Sequence, residues 1–150
     1  MKKILVTGGA GYIGSHVVKK LLLEGFDVVV FDNLSRGYLK VVDVLKKYGK
    51  VDFVKGDLTV LEDIRNVFKL YDIDSVISLG GLCSVSESFQ NPSAYFQSNT
   101  VGSLNLLHAM DEVNIKNIVL ASSCVFYGNP KVNPVKEDAD ADLISPYAKS

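Results

Sequence analysis

The 150-residue sequence predicts an α/β fold, a doubly wound parallel sheet with helices on both faces. Two observations predict it. Short apolar runs rich in β-branched residues alternate with segments of helical period, and the first such run leads through a glycine-rich turn directly into a helix. Strands that are apolar throughout, rather than alternating, belong to a sheet buried on both faces.

Five strands follow in order: Lys3 to Thr7 (KILVT), Asp27 to Phe31 (DVVVF), Val51 to Lys55 (VDFVK), Ser75 to Leu79 (SVISL) and Asn117 to Ser122 (NIVLAS). Helices are expected near Tyr12 to Glu24, Arg36 to Tyr48, Val60 to Leu70 and Pro92 to Asp111. In the first helix Ile13, Val17 and Leu21 share a face, and Gly25 stops it. Right-handed crossovers and this alternation predict the strand order 3-2-1-4-5. Gly128 to Ser145, with Pro130 and Pro134, reads as a long loop, after which Pro146 opens a new helix at its first turn. A chain that stops one turn into a helix is expected to be cut within a longer one.

Composition narrows the function classes. Sixteen Lys and Arg balance 17 Asp and Glu, a net charge of −1, which gives no reason to expect nucleic acid or an anionic membrane as partner. No apolar run approaches the ~20 residues that span a bilayer. The opening MKKILVTGG has too short an apolar run (Ile4, Leu5, Val6) for a signal peptide. Cys83 and Cys124 form no C-x-x-C pattern, so neither a disulfide framework nor a zinc site is expected, and a reducing cytoplasm is. His16 and His108 both fall in helical stretches and read as structural or solvated, so no metal site is expected.

TGGAGYIG places Gly8, Gly11 and Gly14 between the first strand and the first helix. Glycine there permits a tight turn, lets the backbone approach a pyrophosphate, and packs helix closely on strand. The helix N-terminus presents free N–H groups and the positive end of its dipole to the phosphates. In this strand–helix context the pattern predicts a Rossmann-type dinucleotide site. Asp32, eighteen residues past Gly14 at the end of strand two, is placed to accept from the 2′-hydroxyl of an adenosine ribose. That carboxylate would repel a 2′-phosphate, favouring NAD over NADP, while Arg36 nearby softens the preference. Asp57, in KGDL, is placed either at the adenine edge or as a helix N-cap, and the two readings are compatible.

Together these motifs resemble the extended short-chain dehydrogenase/reductase (NAD-dependent epimerase/dehydratase) family, most closely its UDP-glucose 4-epimerase branch. TGGAGYIGSHVV, FDNLSRG, KGDL, VISLGGLCSVSES, YFQSNTVGSLNLL, SSCVFYG and SPYAKS carry the resemblance, in order, over essentially the whole chain. It implies the N-terminal part of such a fold, five strands of an NAD-binding Rossmann domain, with the last strands and the sugar-nucleotide domain absent. It also implies that Tyr12 and Ile13 lie in the phosphate loop, and that Asp32, Asn33, Leu34, Ser35, Arg36 and Gly37 surround the adenosine ribose. Asp57 and Leu58 flank the adenine, and Leu79, Gly80 and Gly81 lie beside the pyrophosphate and the nicotinamide-side ribose. Ser98 and Asn99 stand where the family has two asparagines, and Cys83 where it commonly has a lysine that touches the cofactor. Ser78 replaces a frequent histidine.

Tyr147 corresponds to the family's proton-transferring tyrosine and Ser123 to the serine that hydrogen-bonds the sugar 4-oxygen. The implied activity interconverts UDP-galactose and UDP-glucose by transient oxidation at C4 with bound NAD, in a homodimer when full length. An ordinary phenol titrates near pH 10, so a tyrosine base depends on nearby cations. The family's lysine, four places after the tyrosine, would be residue 151, and Lys149 points to another face. The isolated 150 residues are therefore expected to be inactive. Related 4,6-dehydratases carry an Asp-Glu pair where this chain has Cys124 and Val125, which disfavours elimination. Another NAD-dependent nucleotide-sugar epimerase or decarboxylase, or a non-catalytic dinucleotide-binding module, stays open.

Overall fold

The computed structural model describes residues 3–150; Met1 and Lys2, with the start of the MKK stretch, lie outside the described residues. Five strands, β1 (Lys3–Thr7), β2 (Asp27–Asp32), β3 (Val51–Lys55), β4 (Ile73–Ser78) and β5 (Asn117–Leu120), form one sheet in the order β3-β2-β1-β4-β5. All four pairings are parallel, with Thr7 at the end of β1 opposite both Phe31 and Ser78. The expected order and class therefore hold.

Alternate residues of each central strand feed different layers. Leu5, Val29, Phe31 and Val76 pack under α3 (Leu61–Leu70) and α6 (Gly102–Glu112) with Ile64, Val67, Leu106, Ala109 and Met110. Val6, Val28 and Val30 pack on the other face with Val18 and Leu22 of α1 (Tyr12–Leu23) and with Val42 and Leu45 of α2 (Leu39–Leu45). This is why the strands read as unbroken apolar runs: both pleat faces are covered near β1. β5 differs. It is one of the sheet's two edges, and Val119 and Leu120 remain exposed.

Several boundaries shift for identifiable reasons. β5 ends two residues early because the rung from Ala121 N–H to the Ser78 carbonyl (3.0 Å) is its last, and Ser123 then starts a tight turn, Cys124–Tyr127. α2 begins at Leu39 rather than Arg36, since Tyr38 N–H is spent on the Ala10 carbonyl (3.2 Å), tying that segment to the glycine loop. The single helix expected from Pro92 is a rod of three parts. α5 (Pro92–Tyr95) leads into a wider π-helical segment, Phe96–Val101, and then α6. A short helix, α4 (Val85–Gln90), had no periodicity to mark it; Ser84 caps it by accepting from Glu87 N–H (3.3 Å). Finally α7 (Pro146–Lys149) starts at its proline, with Ser145 Oγ accepting from Ala148 N–H (3.0 Å). Among the described residues no helix is long and apolar enough to cross a membrane.

Candidate functional site

The C-terminal ends of β1, β2 and β4 gather the loops expected to hold a dinucleotide. At the centre, Gly8 takes φ +68° and donates its N–H to the Phe31 carbonyl (2.8 Å). A Cβ on Gly8 would lie 2.8 Å from Gly80 N, and one on Gly14 only 2.1 Å from the Gly8 carbonyl oxygen. These two glycines are demanded by contact between backbones. Gly11 is different: its Cβ would meet only the Gly8 oxygen, at 3.3 Å. Its surroundings are open, and it caps α1 with no side chain closing the helix N-terminus. Ala10 and Gly11 spend their N–H groups on Asp32 (3.0 Å) and on the Gly8 carbonyl (3.1 Å), while the first turn of α1 is left without a side-chain cap, as an anion site there requires. Tyr12 and Ile13, both largely exposed, flank it.

Asp32 is only 8% exposed. Its Oδ2 accepts from Ala10 N–H (3.0 Å) and its Oδ1 from Leu34 N–H (2.8 Å). One carboxylate thus joins the glycine loop to the segment after β2, keeping lone pairs for a ribose hydroxyl. Leu34 accepts a left-handed φ of +62° to make this turn. Asn33 closes the next turn, accepting from Ser35 N–H (2.9 Å), and its amide donates to Asp57 Oδ2 (2.8 Å). Gly37 is pressed against Ala10 and Asp32.

Asp57 does not cap α3, whose cap residue is Val60. It closes the preceding turn instead, accepting from Thr59 N–H (2.9 Å) and Oγ1 (2.8 Å). Burial disfavours its charge, yet the hydrogen bonds from Asn33 and Thr59 outweigh that and hold the carboxyl below its ordinary value. Asn33, Lys55, Gly56, Asp57 and Asp63 line a cleft of about 270 Å³ at this end. A larger cleft, about 330 Å³, lies between α3 and α6, but its Glu62, Arg65, Lys69 and Glu112 pair with one another and it holds none of the expected site residues.

On the β4 side, Thr7 Oγ1 accepts from Leu79 N–H (3.2 Å) and Gly80 N–H (3.1 Å) and lies 3.3 Å from Ser78 Oγ. Ser78, at the position where the resembled family often has a histidine, is buried and joined to Thr7. Leu58 packs against the place a Gly80 Cβ would take. Asn99 Oδ1 accepts from Leu82 N–H (2.8 Å), and its Nδ2 donates to the Leu82 carbonyl (2.9 Å) and to Ser150 Oγ (3.0 Å). It clamps the Gly80–Leu82 turn and ties α7 to it. Ser98 lies half-buried beside it in the π-helical segment, and Cys83 is an exposed free thiol just past the turn.

Ser123 and Tyr147 arrive from the other edge. Ser123 is extended and caps the turn that follows β5, its Oγ 3.5 Å from Val125 N–H. α7 packs against that turn and against α4 and α5. The Tyr147 ring stands edge-on to buried Tyr95, with centroids 6.0 Å apart. The structure thus groups Gly8, Gly11, Gly14 and Asp32 at one side and Ser123 and Tyr147 at the other, with Gly80, Gly81 and Asn99 between. Thr7, Tyr95 and Glu87 were missed by the sequence reading. Thr7 alone carried a signal, a hydroxyl at the strand end facing a second glycine turn.

This arrangement defines a Rossmann-type α/β domain with its ligand crevice at the reversal of strand order beside β1. Within that class the chain belongs to the family described as GDP-mannose 4,6 dehydratase, whose model matches residues 5–150. Similar curated proteins include the UDP-glucose 4-epimerases of Lacticaseibacillus casei (42% identity over 98% of this chain and 43% of that protein) and Neisseria meningitidis serogroup B (42%, 100% and 45%). Among solved structures, the UDP-glucose 4-epimerase of Bifidobacterium longum in complex with NAD+ and UDP superposes with a TM-score of 0.95 at 33% identity, covering 99% of this chain and 45% of that one. The Stenotrophomonas enzyme with bound NAD and formylated UDP-arabinopyranose gives 0.94 at 36%, covering 99% and 45%. The chain spans less than half the length of these relatives.

Proposed function

We propose that these residues form the NAD-binding part of a UDP-sugar 4-epimerase that interconverts UDP-galactose and UDP-glucose. The observation that carries the reading is α7, which holds Tyr147, packed on the turn that Ser123 caps after β5 and tied by Asn99 to the Gly80–Leu82 turn. The residues fit the dinucleotide. Gly11 leaves an open cradle that a Cβ would narrow, the α1 N-terminus has no side-chain cap, and Asp32 is fixed by two backbone donors. Bound NAD supplies reversible hydride acceptance at the sugar C4.

The chain's own residues do the rest. Tyr147 takes and returns the proton of the 4-hydroxyl, and Ser123 orients that oxygen by hydrogen bonding. Asn99 holds the Gly80–Leu82 turn in register with α7, so that tyrosine and cofactor turn keep one spacing. Elimination to a 4,6-dehydrated sugar needs an acid–base pair, and the residues after Ser123 are Cys124 and Val125, which cannot supply one. Exposed Leu104 and Leu107, one turn apart on α6, support pairing of this helix with a second copy.

The experiment is a chimera of these 150 residues with the remaining C-terminal portion of the L. casei relative, assayed for UDP-galactose to UDP-glucose conversion. Turnover that falls at least a hundredfold in Tyr147→Phe is expected, the scale of general acid–base catalysis. A chimera that binds NAD and is equally active with phenylalanine at 147 would refute the role.

A further inference from the structure

We propose that Glu87 is a positioning residue for cofactor choice. It holds Arg36 in an ion pair and so denies the 2′-phosphate of NADP the cation it would need, an inference that rests on the NAD-binding reading above. An arginine close after the acidic residue of β2 is the usual partner of that phosphate. Arg36 lies four residues after Asp32, in the segment expected around the ribose. Its guanidinium is already committed: Nη2 donates to both Glu87 Oε1 (2.7 Å) and Oε2 (2.6 Å).

Topology makes the contact possible. β2 and β4 flank β1, so the segment after β2 and the helix after β4 stand on either side of the glycine loop. An exposed ion pair is ordinarily weak, because two long side chains must be ordered to form it. Here one partner is ordered beforehand. Tyr95 is 0% exposed, its hydroxyl accepts from Ser84 N–H (3.0 Å), and it donates to Glu87 Oε2 (3.2 Å). Glu87 N–H is itself bound by Ser84 Oγ (3.3 Å). The carboxylate is therefore set by a buried tyrosine and a helix cap, and Arg36 docks on a fixed anion. Asp32 repels the 2′-phosphate while Glu87 withholds the countercharge, two separate contributions to one preference.

The test titrates NAD and NADP into the unaltered chain and into Glu87→Gln, Arg36→Gln and the double variant. Glu87→Gln is expected to raise NADP affinity about tenfold, the scale of one charge-assisted contact, with NAD affinity within about twofold. The double variant is expected to lose that gain, and Arg36→Gln alone to leave NADP affinity nearly unchanged because its cation is already withheld. No gain in Glu87→Gln, or a gain that persists without Arg36, would overturn the inference. So would a tenfold loss of NADP affinity in Arg36→Gln, a change at an exposed side chain that reports even if Glu87→Gln folds poorly. If the unaltered chain binds NAD and these outcomes fail, only the role of Glu87 falls. If it binds neither dinucleotide, the NAD reading falls with it.

Discussion

A carboxylate held by two backbone donors keeps its place, and Asp32 illustrates what that does for recognition. Asp32→Ala is expected to narrow the gap between NAD and NADP affinity, measured by titration of both; an unchanged ratio would mean that Asp32 serves only the turn. Cys83 lies exposed just beyond the Gly80–Leu82 turn, so Cys83→Lys places a cation there. One charge-assisted hydrogen bond contributes about 1.5–3 kcal/mol, and stopped-flow release of NAD is expected to slow at least tenfold. An unchanged rate would show that residue 83 does not face the cofactor. Asp57 supplies a pH dependence. Its folded-state carboxyl titrates below the ordinary value, so its stabilising contribution is full above that value and is lost as pH falls through the lower one. Asp57→Asn should therefore be less stable than the unaltered chain near pH 6, with the difference shrinking below about pH 4. A constant difference in urea unfolding across that range would exclude this linkage.

At the scale of elements, the glycines separate by what surrounds them. Gly14 presses on the Gly8 and Gly9 backbone, which cannot give way, whereas a Cβ on Gly25, at φ +86°, meets nothing within 4 Å. Gly14→Ala is expected to cost about 3 kcal/mol or more, at the upper end of overpacking, and Gly25→Ala only about 1 kcal/mol of left-handed strain. Equal losses for the two in denaturant unfolding would contradict the packing described. The elements most legible in the sequence were those fixed locally. The valine run of β2 and the short β-branched stretches KILVT and VDFVK marked β1 to β3, and glycine spacing defined the turn into α1. The rest depended on contacts distant in sequence. α4 has six residues and is held by Ser84 and Tyr95, so no period could announce it. The π-helical segment turns on Asn99 reaching Leu82 and Ser150. Glu87 became a site residue only when folding brought it to Arg36, 51 positions away.

For the whole molecule, the sheet is covered on both faces near β1 and bare at one side. Val119 and Leu120 are exposed on β5, an edge strand with an unpaired row of backbone groups. The 150-residue chain is accordingly expected to self-associate with rising concentration, and Val119→Lys to suppress this in sedimentation velocity; association unaffected by the lysine would place the contact elsewhere, with the α6 face the first alternative. On the proposed reading, the glycine crevice and Asp32 together make this chain an NAD-binding domain. Calorimetric titration with NAD and then NADP tests it most directly. Saturable NAD binding, at least tenfold tighter than NADP and weakened in Gly11→Val, is the predicted result, whereas no binding of either dinucleotide, or equal affinity for both, would contradict it.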